Sequence, residues 1–191
     1  MTADAPSGPP ATIRRLTGVD VVAYRFVRLE SLRVAPDAYG SAFADWAKRP
    51  NSAFLERIEA AAIFGAFTAH GLEGLMACDR EKGGRADHRA LIHQVYVRDT
   101  LRRRGTARAL LSACIDWARA AGVLQLELMV ADDNVAAVAL YIGAGFRTVG
   151  VLPRALKRKD GDFADERMMV LALDALDALD APVDASLDAP T

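Results

Sequence analysis

The sequence predicts an α/β domain built on one mixed β-sheet. Three observations carry that expectation. Between Ala62 and Val97, short apolar runs alternate with turn residues, as in an antiparallel meander. From Ala107 onward, helical and strand-like periods follow one another in turn. The chain of 191 residues is 52% apolar, enough for one substantial core.

Taken in order, Met1 to Pro10, with three prolines and a glycine, suits a flexible leader, and Ala11 to Leu16 a first strand. Val21, Tyr24, Val27, Leu29 and Leu32 recur at helical spacing between Asp20 and Ala35, and Pro36 closes that helix. A loop rich in Ala, Gly and Asp follows. A second helix is expected over Asn51 to Glu59, capped by Asn51 or Ser52. The meander comes next: Ala62 to Ala69, the turn His70-Gly71, Leu72 to Arg80, the turn Gly83-Gly84, and Ala90 to Val97.

The helix Ala107 to Ala121 is amphipathic. Leu110, Leu111, Cys114, Trp117, Ala118 and Ala121 share one face, and Gly122 is a natural C-terminal stop. Leu124 to Val130, read LQLELMV, alternates as a half-buried strand. A further helix spans Asn134 to Ile142 and ends at Gly143-Ala144-Gly145. Strands over Phe146 to Leu152 and Arg167 to Leu173 complete the sheet, joined by the polar segment Pro153 to Glu166. The domain is expected to occupy residues 11–175. Residues 176–191, which continue the near-repeat LDALDALDA, suit a disordered tail.

Composition excludes several functions. With 24 basic and 25 acidic residues, no global field draws the chain to nucleic acid or to a membrane surface. No apolar run is long enough to span a bilayer, and the N-terminus lacks the pattern of a secretory signal. Cys78 and Cys114 stand alone in their segments and suit buried, reduced thiols of a cytoplasmic protein. His70, His88 and His93 have no metal-ligand spacing, so no metal site is expected.

Against this neutral background, VYVRDTLRRRGTARALL (Val95 to Leu111) gathers Arg102, Arg103 and Arg104 at the mouth of one helix. A helix N-terminus offers free N–H groups and about half a positive charge. Gly105 lets the backbone bend, and Ala107 keeps bulk low. Strand, glycine and helix together make a site for a phosphorylated ligand. Neither GxxxxGK(S/T) nor GxGxxG is present, which disfavours nucleotide and dinucleotide loops.

Arg102-x-x-Gly105-x-Ala107 resembles the Q/R-x-x-G-x-G/A signature of the GNAT superfamily of N-acetyltransferases, and Val95-Tyr96-Val97 its cofactor-binding strand. Asn134-x-x-Ala137-x-x-Leu140-Tyr141-x-x-x-Gly145-Phe146 is similar to a second block of that family, and the run Gly161 to Leu173 to its ending. The resemblance implies the GNAT fold, a mixed central sheet of seven strands flanked by helices. It implies acetyl-CoA as donor, with its pyrophosphate on backbone amides of Arg103, Arg104, Gly105, Thr106, Ala107 and Arg108. The pantetheine arm would bond main-chain groups of Val95 and Val97 like an added strand. Tyr141 takes the role of acid toward the leaving thiolate, and Asn134 that of a cofactor contact. Homodimers are common in the family, so one is open here.

The base is less explicit. Relatives place Glu where this chain has Leu91 and Met129. His93, two residues before Val95 and so expected on the same strand face, is the candidate, with Glu127 behind it. Arg28 to Trp46 and Pro153 to Glu166 are the segments expected to shape an acceptor pocket. The leading reading is transfer of acetyl from acetyl-CoA to a primary amine, by direct attack in a ternary complex. The missing carboxylate base keeps open a non-catalytic acyl-CoA-binding sensor or interaction module of the same fold.

Overall fold

The computed structural model describes residues 10–174, so the expectations for a leader before Pro10 and a tail after Asp174 lie outside the described residues. Seven strands form one sheet: β1 (Thr12–Arg15), β2 (Ala62–Thr68), β3 (Gly71–Arg80), β4 (Arg89–Val97), β5 (Gln125–Ala131), β6 (Arg147–Lys157) and β7 (Phe163–Ala172). Their spatial order is β1-β2-β3-β4-β5-β7-β6. Only β4 and β5 pair in parallel, and α4 (Thr106–Ala120) supplies the crossover between them. The other helices are α1 (Val21–Val34), α2 (Phe43–Ala47), α3 (Asn51–Ala60) and α5 (Val135–Ile142).

Each face of the sheet carries its own core. Leu110, Leu111, Cys114 and Ala118 of α4 pack on Met76, Cys78, Ile92, Leu126 and Leu128. On the opposite face Tyr24 and Val27 of α1 and Phe54 and Ile58 of α3 pack on Ile63, Leu75, Ala77 and Tyr96. Burial of each such large side chain contributes about 1.5–3 kcal/mol. The amphipathic stripe read for α4 is therefore the stripe it buries, although Trp117 and Ala121 are only half-buried.

The end of α4 is fixed by chain geometry. Gly122 stands at φ 72°, a left-handed conformation that costs glycine little. There Val123 N–H donates to Ala118 O (2.9 Å) and Gly122 N–H to Arg119 O (3.1 Å), closing a Schellman turn with Val123 buried.

Three elements depart from expectation. The loop after α1 contains a 3-10 turn (Pro36–Ala38) and the single-turn helix α2. Pro50, not Asn51 or Ser52, is the N-cap of α3, and no side chain bonds there. The segment Pro153 to Glu166 is largely strand: β6 runs on to Lys157 and β7 begins at Phe163, with a tight turn closed by Arg158 N–H to Asp162 O at 2.7 Å.

The entry to α1 is held by one carboxylate. Asp20 accepts both guanidinium nitrogens of Arg14 (2.8 and 2.7 Å), the Thr17 N–H (2.9 Å) and the Thr17 hydroxyl (3.3 Å). The Arg14 bonds lead in holding Asp20 down from 3.8 to about 2. Its stabilisation is whole above pH 3.8 and disappears as pH falls through about 2. Asp20→Asn should cost about 1–2 kcal/mol near neutrality, read by urea unfolding, and that penalty should shrink as the titration is repeated toward pH 2.

Candidate active site

The site begins where two strands part. β4 and β5 pair from Arg89↔Gln125 to Ile92↔Leu128 and no further, so residues 93–97 face a gap instead of a neighbour. At the same point β4 carries an extra residue. Leu75 opposes Tyr96 but Ala77 opposes His93, and Gln94, at φ 54°, absorbs the difference as a bulge. The Gln94 amide oxygen accepts a buried bond from Tyr24 hydroxyl at 2.8 Å, which pins the bulge to α1.

The bulge corrects one expectation. His93 and Val95 do not share a face: Val95 packs with the α4 core, whereas His93 lies with α3 beside Arg57 and Asp79. Inserting one residue inverts the alternation of a strand. His93 nevertheless opens into the gap, because it lies at the edge where β5 has turned away.

Two adjoining cavities fill the gap. The larger, about 550 Å³, is lined by Val95 to Val97 and by the approach to α4. The smaller, about 280 Å³, is lined by Arg28, His93, Met129 and Glu166 among others. Tyr39, Val95, Asn134 and Tyr141 border both.

At the larger cavity the backbone is short of partners. Gly105 is the N-cap of α4 at φ 78°, and it offers no capping side chain. The first intrahelical bond runs from Ala109 N–H to Gly105 O (2.9 Å). Among the described residues, none of the backbone N–H groups of Arg103 to Arg108 donates to protein. The arginines divide into two sets. Arg102 is occupied, donating to Val97 O (3.0 Å) and pairing with Asp99 (2.8 Å). Arg98 is clamped by Glu30 at 2.6 Å. Arg103, Arg104 and Arg108 have no acidic partner among the described residues, and of these Arg103 and Arg108 line the cavity while Arg104 does not. Unpaired donors at a helix N-terminus beside unpaired guanidinium groups suit a polyanion.

The rest of the expected cofactor set is mixed. Thr106 is buried and spends its hydroxyl on Leu101 O (3.0 Å); Ala107 lines the wall. The Tyr96 side chain points to the α1 face, where its hydroxyl donates to Glu30 (2.8 Å), so only its backbone can face a ligand. Val95 O accepts from Tyr39 hydroxyl at 2.8 Å. Asn134 is the N-cap of α5, its Oδ1 accepting Ala137 N–H at 3.2 Å, and it is exposed to both cavities.

Tyr141 lies where the cavities meet. It is 4% exposed, packs against Phe146 at 5.7 Å between ring centroids, and its hydroxyl has no partner among the described residues. Burial pushes the phenol above its ordinary value of 10, so it stays protonated.

Around the smaller cavity, Asp79 Oδ2 lies 3.1 Å from His93 Nε2 and 2.9 Å from Arg57. Burial pushes Asp79 up, but the bonds from His93 and Arg57 outweigh it, and the carboxyl ends below its ordinary value. Asp79 is thus an acceptor for an Nε2–H of His93, and Arg57 Nη2 lies 3.5 Å from the same nitrogen. Glu127 stands elsewhere: Arg89 holds it at 2.9 Å, and it lines neither cavity. Glu166 does line the smaller cavity, without any partner among the described residues, and burial raises its carboxyl. Sequence reasoning missed Glu166, inside a segment read as polar turn, and Arg28, read only as part of a pocket-shaping stretch. Of the two stretches expected to shape a pocket, Arg28 and Ala38 to Ser41 come from the first and Glu166 from the second. Both thiols are buried, and burial raises each well above the ordinary range.

Comparison with known proteins accords with this geometry. Residues 21–146 match the acetyltransferase (GNAT) family. The chain belongs to that family. Its sheet matches the acetyltransferase of GNAT family from Streptococcus pneumoniae with a TM-score of 0.75 at 22% identity, covering 84% of this chain and 98% of that one. It also matches yncA of Salmonella typhimurium, solved with its cofactor acetyl-CoA, with a TM-score of 0.73 at 22% identity over 87% and 95% of the two chains. In sequence, 82 residues are 37% identical to an L-methionine sulfoximine/L-methionine sulfone acetyltransferase of Pseudomonas aeruginosa, 43% of this chain and 47% of that one. The match thus spans about half of that relative's length. As a GNAT protein, this chain presents the family's seven-stranded mixed sheet with helices on both faces.

A Cβ added at Gly105 would meet nothing within 4 Å, so its glycine is needed for conformation and not for space. Gly105→Ala should cost about 1 kcal/mol in denaturant unfolding. Because the strain reorients the free N–H groups, CoA affinity by calorimetry should fall with it.

Proposed function

We propose that this GNAT protein transfers acetyl from acetyl-CoA to a primary amine. The observation that carries the reading is the run of unbonded N–H groups from Arg103 to Arg108, flanked by Arg103 and Arg108 and opening onto the β4 edge. These groups fit a diphosphate, and the cavity continues from them along Val97 to Val95 toward Tyr141. Acetyl-CoA would supply a thioester: a C–N bond forms to the amine, the C–S bond breaks, and the departing thiolate takes up the proton that the newly acylated nitrogen sheds.

The side chains divide that work. An ammonium must lose a proton before its nitrogen can attack, since free amines of this kind have pKa values of about 10.4. His93, held by Asp79, is the proton acceptor. Tyr141 donates a hydrogen bond to the departing sulfur. Its phenol is a weaker acid than a thiol of pKa about 8.5, so the bond offsets developing charge better than full transfer would.

Both cysteines are buried in the α4-side core and line neither cavity, which favours direct attack over a covalent acetyl-enzyme. The Pseudomonas relative is by name an acetyltransferase for two methionine derivatives, which supports a small acceptor here. The absence of carboxylates at positions 91 and 129 is the ground for a non-catalytic module. The His93–Asp79 pair and Glu166 in the cavity support the catalytic reading instead.

The test is release of free thiol from acetyl-CoA against a panel of amines. Tyr141→Phe should lower kcat by about 100-fold while leaving the KM for acetyl-CoA little changed. His93→Gln should lower kcat/KM for the amine by about 100-fold while leaving CoA affinity unchanged. An amine panel without turnover, or a His93→Gln variant with wild-type kcat/KM, would overturn the respective assignment.

A further inference from the structure

The smaller cavity holds two charged side chains that protein contacts leave unsatisfied. Arg28 is 3% exposed, yet no Asp or Glu pairs with it among the described residues. Its Nη1 makes one long bond, 3.4 Å to Ser31 Oγ; Nε is buried without a partner, and Nη2 has none. Below it the Tyr39 ring lies 4.8 Å from the guanidinium carbon, a neutral platform that supplies no counter-charge. A buried, unpaired guanidinium is costly, and proteins pair such groups unless a ligand brings the partner. Glu166, on β7, reaches the same cavity as an unpaired carboxylate.

We infer that the acceptor is a free α-amino acid or a close analogue, its carboxylate held by Arg28 and its ammonium drawn to Glu166 beside His93. This inference rests on the acetyl-transfer reading above for the fate of the amine, but the recognition pair is independent of that chemistry. Nε is enclosed by protein, so the cavity-facing end of the guanidinium, with Nη2 unbonded and Nη1 held only by its long bond to Ser31, is what offers a carboxylate charge-assisted bonds. The opposite charge of Glu166 matches the other end of a zwitterion. A polyamine would place a second cation against Arg28. A peptide N-terminus would bring a neutral amide there and leave the guanidinium unpaired. Both are disfavoured for that reason. The cavity is also small, about 280 Å³, which suits a single amino acid better than a chain.

The experiment uses the full chain with acetyl-CoA, following thiol release with a set of α-amino acids, their amides and the corresponding amines lacking the carboxylate. Binding of the same compounds to CoA-loaded protein is measured by calorimetry. Amino acids should exceed their carboxylate-free counterparts by about 100-fold in kcat/KM, the loss expected for one charge-assisted bond pair. Arg28→Met should erase that preference, mainly through KM, while leaving CoA affinity unchanged; Arg28→Lys should restore part of it. Glu166→Gln should weaken amino-acid binding without affecting CoA. If carboxylate-free amines serve equally well in the wild type, the proposal is overturned while acetyl transfer stands. If no amine is acetylated but amino acids bind in an Arg28-dependent manner, the anchor stands and the transfer reading fails. Absence of both turnover and binding overturns the proposal.

Discussion

The separation of β4 from β5 beyond the Ile92–Leu128 pair is the constraint on which the rest of the structure depends. A continuous parallel pairing would satisfy the strand edges and leave no opening in the sheet. The bulge at Gln94, locked by the buried Tyr24 bond, re-aims β4 at the place where pairing with β5 ends. The gap therefore does not depend on a ligand to hold it apart. It is built into the backbone and tied to the α1 core.

That opening also distributes charge. Balanced overall, the molecule spends many of its arginines on internal work: Arg14 on Asp20, Arg98 on Glu30, Arg57 on Asp79, Arg89 on Glu127. Among the described residues, Arg103 and Arg108 have no acidic partner at the larger cavity and Arg28 has none at the smaller. Each of the two adjoining cavities thus carries anion-seeking groups, and Tyr141 borders both. Two anionic ligands, one in each cavity, would bring their reactive groups together at that border.

Much of the fold was legible because its signals are local. The α4 stripe from Leu110 to Ala118, the glycine at 122 and the His70-Gly71 turn each follow from nearest-neighbour chemistry, and the structure has them in place. The length of β6 was not legible, because most of its residues are exposed on both faces and so show no alternation. The five-residue α2 is too short to display a period. In the site, the helix N-terminus was visible because strand, glycine and helix adjoin in sequence. Arg28 and Glu166 were not: one looks like an ordinary helix arginine and the other like part of a polar turn. Their significance arises only when α1 and β7 bring them to one cavity. The bulge was hidden for a related reason, since no glycine or proline marks Gln94.

The central claim is that the N–H groups opening α4 are unbonded until a diphosphate engages them. Amide hydrogen exchange resolved over residues 103–108, with and without saturating coenzyme A, tests it most directly. The account predicts rapid exchange in the free protein and slowing by at least about 10-fold in the complex, confined to this turn and the adjoining edge of β4. Exchange at these amides that is unchanged by coenzyme A, or already slow without it, would contradict the account.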